Sequence, residues 1–145
     1  MTRLALLVGL ASTLAMVGLI WFVQVVHYPL FARVGASSFA AYAAEHSALT
    51  TWVVAPFMLA ELGSALYLVA RPPAHVPLSW LWLGLLLCGV VWTATGALSV
   101  PQHSILAAGF DARAWRTLVL TNWVRTLAWS ARGVLMLVVV NRVMR

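Results

Sequence analysis

Three histidines and one arginine carry most of the chemistry that this sequence can offer. His27, His46 and His103 each fall near the border of a long apolar run, and Arg125 lies three residues after Asn122 inside another. Neutral imidazole serves as a general base, a metal ligand or a haem ligand. A guanidinium held away from water suits an enolate, a carboxylate or a phosphate. No His-x-x-x-His, Cys-x-x-Cys or His-x-x-Glu pair is present. A copper, iron or haem site would therefore be assembled from separate helices, with His27, His46, His103 and Glu45 as its ligands.

The elements that must position these groups follow from composition. The chain has 145 residues, of which 63% are hydrophobic and 8% charged, with eight tryptophans. Such a composition excludes an ordinary soluble domain. Four apolar runs, at about residues 4–26, 48–70, 78–100 and 118–140, are each long enough as helices to cross a ~30 Å hydrocarbon core. The expectation is a single all-α domain, residues 1–145, built as an integral membrane four-helix bundle. The first run is too long for a cleaved signal core and reads as a span. The net charge of +6 comes from scattered arginines and forms no basic patch, so nucleic acid is not an expected partner. Cys88, alone within the third run, offers no disulfide framework.

Four spans put both termini on one side, side A, with the "RPPAHVP" turn. Residues 28–47 and 101–117 form two longer loops on side B. Arg3, Arg71, Arg142 and Arg145 outweigh the B-side arginines Arg33, Arg113 and Arg116, which are accompanied by Glu45 and Asp111. The positive-inside rule then leaves the termini in the cytoplasm, with a bacterial inner membrane as the expected location. His27, His46 and His103 all lie toward side B, whereas His75 lies in the A-side turn and reads as a bystander.

Helical periodicity gathers the polar residues into stripes: Thr13, Gln24 and His27; His46, Thr50, Glu61 and Ser64; Thr95, Ser99 and His103. On the fourth helix Asn122, Arg125, Trp129 and Arg132 are spaced 3, 4 and 3, one face that lipid does not accommodate. Glu61 and Arg132 both lie about 20 Å from side B at ~1.5 Å per residue, which predicts an ion pair between helices 2 and 4. Arg125 lies at about half that depth with no carboxylate at its level, leaving Gln24, backbone carbonyls, water or a ligand anion as partners. Trp52, Trp80, Trp82, Trp115 and Trp123 sit near the interfaces as an aromatic belt, while Trp21, Trp92 and Trp129 lie deeper, as helix packing or as pocket walls for a flat aromatic or polyprenyl ligand. In "TNWVRT" Asn122 could also cap the start of helix 4. Gly84, Gly89 and Gly96, with Ala94 and Ala97, offer small surfaces for self-association.

"SVPQHSIL", a spacer containing Trp115 and then "TNWVRTLAWSARGVLM" resemble the closing half of the anthrone oxygenase-like family of small four-helix membrane proteins. The likeness rests on Val100, Pro101, Asn122, Arg125 and Thr126, and Tyr28-Pro29 at the end of helix 1 is similar to the family's opening half. Gln102-His103, where the family often has asparagine after Val-Pro, and Glu45-His46 depart from its pattern. The resemblance implies oxygenation of an activated aromatic ketone or phenol in the membrane with no evident organic cofactor. On that reading His27, His46 or His103 removes a proton and Arg125 with Asn122 stabilises the enolate. Gln24, Glu61, Trp129 and Arg132 line the substrate cleft. The competing expectation is a non-catalytic binding or scaffolding module, or a small carrier of a lipophilic anion.

Overall fold

The computed structural model describes residues 1–144 and consists of four long helices, each apolar enough to cross a membrane. They are α1 (Thr2–Arg33), α2 (Ala36–Ala70), α3 (Leu78–Ala107) and α4 (Ala112–Met144). The main contacts run from α1 to α2, α2 to α3, α3 to α4 and α4 back to α1, an up-down-up-down bundle. The chain is thus an all-α integral membrane four-helix bundle. Its distribution of residue types matches a lipid solvent: Leu4, Leu7, Leu66, Leu86, Leu120 and Leu127 are exposed, whereas Gln24, Glu61, Asn122, Arg125, Thr126 and Arg132 are buried.

The helices are longer than the apolar runs predict, and the two B-side loops shrink accordingly. Residues 36–47, expected as loop, form the first turns of α2, and residues 112–117 form those of α4. The alanine-rich stretch at 36–47 is a good helix former although it is not hydrophobic enough to register as membrane-spanning. Only residues 34–35 and 108–111 remain as B-side connections. In the latter Gly109 takes φ +145°, a conformation that favours glycine, and Asp111 caps α4 by accepting from the Ala114 amide at 2.6 Å. Asn122 is therefore well inside α4, and its expected alternative role as a cap is corrected.

Pro29 and Pro101 do not end their helices. Proline lacks an N–H and crowds the carbonyl four residues before it. Both helices widen to π geometry just ahead of the ring, over Val23–His27 and Thr95–Ser99, and then continue. The Tyr28 amide donates to the Val23 carbonyl and the Val100 amide to the Thr95 carbonyl, five residues back in each case. These widenings carry Tyr28 and His103 onward into the bundle instead of releasing them into loops.

On side A, Val76 packs with Leu6, Leu68, Leu81 and Val139. Arg142 donates from Nε to the His75 carbonyl and lies 5.4 Å from the centre of the Trp80 ring. Close approach of α1 to the bundle depends on Gly9, where an added Cβ would lie 2.7 Å from Ser64 Oγ and 3.2 Å from Met136 Cε. Gly9→Val is expected to destabilise the bundle by about 1–3 kcal/mol through overpacking, read as a lower unfolding midpoint in detergent. Gly84, expected on an outer surface, is buried instead, with its open side filled by Arg132.

Candidate functional site

The bundle's buried polar groups form two sets at different depths. The deeper one joins all four helices. Glu61 of α2 accepts at Oε1 from Thr13 Oγ1 of α1 at 2.7 Å and from Arg132 Nε of α4 at 2.7 Å, and at Oε2 from Trp129 Nε1 at 3.0 Å. Arg132 Nη1 also donates to the Gly84 carbonyl of α3. Glu61, Trp129 and Arg132 are essentially free of solvent contact. The ion pair expected from their matched depth is present, and these three residues are bonded to one another.

The second set lies toward side B. The Gln24 amide donates to the Val119 carbonyl at 3.1 Å and its Oε1 accepts from Asn122 Nδ2 at 2.8 Å. Asn122 Oδ1 accepts from Arg125 Nε at 2.9 Å and from Nη2, and Nη2 also donates to the Tyr28 hydroxyl at 3.1 Å. Tyr28 Oη lies 2.9 Å from His103 Nε2. Beside this chain, His27 Nε2 is 3.0 Å from His46 Nδ1, which also meets Thr50 Oγ1 at 3.2 Å. The three imidazoles adjoin one another, with ring centres 4.7 Å apart for His27 and His46 and 5.4 Å for His46 and His103.

Aromatic packing closes this cluster on its B-side end, where Phe31, one turn beyond His27, meets Phe39, and Phe39 meets Phe110. Phe31 is fully buried, and its ring centre lies 5.3 Å from His27, 5.1 Å from His46 and 5.4 Å from Tyr28. Trp115, expected in the interfacial belt, donates from its indole to the Tyr28 carbonyl at 2.8 Å and so braces α1 against α4. Tyr28 and Arg125 are buried, and the three histidines beside them are partly buried.

Electrostatics separates the two arginines. Arg132 has a carboxylate; Arg125 has only the neutral oxygens of Asn122 and Tyr28, and the pair of Glu61 with Arg132 is the one salt bridge among the described residues. The other acidic side chains, Glu45 and Asp111, are exposed. The B-side polar set thus holds an uncompensated positive charge in a low-dielectric setting, where an unpaired ion is costly. Among the described residues Arg125 Nη1 has no hydrogen-bond partner, and neither do His103 Nδ1 and Arg132 Nη2, which are sealed from solvent.

The residues do not fit a metal or haem. Among the described residues no group of three or more His, Cys, Asp or Glu side chains is arranged to hold a metal ion. His103 Nε2 is taken by Tyr28, His27 Nε2 and His46 Nδ1 face each other, and Glu45 points to the exterior one position before His46. Trp21 and Trp92, expected deep enough to wall a pocket, are 41% and 37% exposed on the lipid side, and Trp21 packs edge-on against Trp123. Tyr28 is the site residue that spacing did not single out; its one visible signal was its place four residues after Gln24, on the same helical face. No family model, curated protein or solved structure matches this chain.

Proposed function

We propose that this chain is a membrane-embedded oxidoreductase of the oxygenase kind, acting on a lipophilic phenol or aromatic ketone at the polar set in its B-side half. The observation that carries the reading is the buried Arg125 guanidinium with no carboxylate partner, beside three partly buried imidazoles. An imidazole accepts the acidic O–H or C–H proton, and Arg125, held in place by Asn122 and Gln24, stabilises the negative charge left on the substrate oxygen. The electron-rich anion then reacts with dioxygen. For a methylene beside an aromatic ketone, one methylene and one dioxygen give one carbonyl and one water. The carbon loses both C–H bonds and gains one oxygen atom, and the other oxygen atom leaves as water with the two hydrogens. No step calls on a metal, since the histidine donors do not converge on one point.

The resemblance to the anthrone oxygenase-like proteins supports the same chemistry, and the arginine excess on side A supports termini in the cytoplasm of a bacterial inner membrane. Gly89 and Gly96, which have open space beside them, support self-association through the outer face of α3. The sealed set of Thr13, Glu61 and Arg132 favours a site confined to the B-side half over a carrier's path through the bundle.

The test is oxygen consumption by the protein purified in mild detergent, with a dihydroxyanthrone as substrate. One dioxygen taken up per substrate, at a rate proportional to protein, is the expected result. A parent protein that binds the compound but adds nothing to its spontaneous oxidation would instead be a binding module.

A further inference from the structure

The sequence of α3, residues 78–107, contains no charged residue. Along its lipid side runs a groove of about 540 Å³, lined by Leu86 and Val90, by Val124 of α4, and by three small residues, Gly89, Thr93 and Ala97. These three are spaced four apart and so share one helical face.

Two of them have no role inside the chain. Gly89 lies within the helix, where glycine is a weak choice, yet an added Cβ there would meet no atom within 4 Å, unlike one at Gly9, which would press on Ser64. Thr93 is 15 residues from Leu78 and 14 from Ala107, at the middle of the span. It is exposed, and among the described residues its hydroxyl has no hydrogen-bond partner, whereas the exposed hydroxyls of Thr51 and Ser104 each donate to the carbonyl four residues back. An acyl chain covering the groove offers no acceptor for that hydroxyl.

We infer that the groove seats a second copy of this chain, α3 packed against α3, with the two helices crossing at Gly89, Thr93 and Ala97. Both copies enter the membrane in one orientation, so a two-fold axis along the membrane normal relates them and sets each residue opposite its counterpart at one depth. The two Thr93 hydroxyls then bond to each other, which the glycine and alanine of the row cannot do. Small residues four apart let two backbones approach closely, at a crossing angle of about −40°. Away from the crossing the helices diverge, and the exposed Trp82 and Leu86 toward side A and Val100 toward side B fill the widening space. With no charge on α3, no like-charge repulsion opposes the pair. The inference rests on the self-association proposed above and names its face and its contact; it is independent of the oxygenase chemistry, whose residues lie inside the bundle.

Two measurements on the full chain test this. The first is disulfide trapping by mild oxidation in native membranes. Cys88 is fully buried, so the parent gives the background. Thr93→Cys is expected to form a covalent dimer in high yield, whereas Leu127→Cys, exposed on α4 and 15 residues from Ala112, is expected to stay at background. The second is the dimer fraction, counted by stepwise photobleaching of labelled protein diluted into phospholipid vesicles. Gly89→Leu, whose side chain has room in the single chain, is expected to weaken dimerisation about tenfold or more. Thr93→Val is expected to weaken it about threefold, through loss of one interhelical hydrogen bond. A parent that stays monomeric overturns the inference together with the self-association it rests on, and leaves the groove to lipid or a lipophilic ligand. A parent dimer in which Thr93→Cys traps no better than Leu127→Cys, or which Gly89→Leu leaves intact, overturns the α3 interface alone, and self-association then runs through another face. A Thr93→Val dimer as tight as the parent's overturns the hydroxyl contact.

Discussion

Glu61→Ala is expected to destabilise the bundle by about 3–5 kcal/mol, because it leaves the Arg132 guanidinium buried without its counter-charge. The expected size follows from what Glu61 holds. Its two oxygens accept from Thr13, Trp129 and Arg132, and Arg132 in turn donates to the Gly84 carbonyl, so one carboxylate ties α1, α2 and α4 together and reaches α3 through its partner. Lipid offers no water to replace these bonds. The double variant Glu61→Met with Arg132→Leu should recover most of the loss, since an apolar pair of similar volume removes both charges together. Unfolding midpoints in one detergent, compared across the parent, Glu61→Met, Arg132→Leu and the double variant, measure the coupling directly. If the single and double variants are equally unstable, the latch acts through packing and not through charge.

The latch also shows why part of this structure was legible in the sequence. Glu61 and Arg132 are ionisable groups in apolar runs, and their equal depth from side B was enough to pair them, because few alternatives exist inside a membrane. The remaining members were less visible. Thr13 appeared as one polar residue of a stripe, and Gly84 contributes a carbonyl, which carries no side-chain signal at all. Thr13 and Gly84 are 71 positions apart, as are Glu61 and Arg132, and Pro29 and Pro101 are 72 apart, each behind a π segment. The α1/α2 and α3/α4 hairpins thus share the proline behind its π segment, whereas Thr13 and Gly84, and Glu61 and Arg132, match in spacing without matching in residue type. A search for sequence repeated over about 20 to 50 residues has nothing to find.

The B-side set was legible in its members but not in its wiring. His27, His46 and His103 were placed on one rim by their positions near the ends of runs, and they do adjoin one another. Hydropathy stopped the helices too early, because residues 36–47 are helical without being strongly apolar, and this made two short connections look like long loops. It also hid Tyr28. A tyrosine followed by proline at the end of an apolar run reads as an interfacial ring before a loop, and only the π widening that absorbs Pro29 turns it inward against Arg125 and His103. Glu45, adjacent to His46 in sequence, lies on another face of the same helix and stays outside.

Arg125→Met provides the sharpest contrast with the latch, with an expected loss of about 10²–10³-fold in turnover of a phenolic substrate and little loss of stability. Removing Arg125 deletes a charge that has no protein counter-charge, so the desolvation cost it carries disappears with it. What remains is an unmet Asn122 Oδ1 and a Tyr28 hydroxyl that still has His103. The midpoint should therefore shift by less than it does in Arg132→Met, which leaves Glu61 a buried carboxylate with only the neutral donors Thr13 and Trp129. Arg125→Lys should not restore turnover, because an ammonium lacks the planar fork that reaches Asn122, Tyr28 and the ligand at once. Oxygen uptake and thermal unfolding of the parent, Arg125→Met, Arg125→Lys and Arg132→Met decide the matter. A fold that tolerates the loss of Arg125 while the chemistry does not is expected of a charge kept for a ligand. An Arg125→Met protein as unstable as Arg132→Met would mean that Arg125, too, serves the bundle.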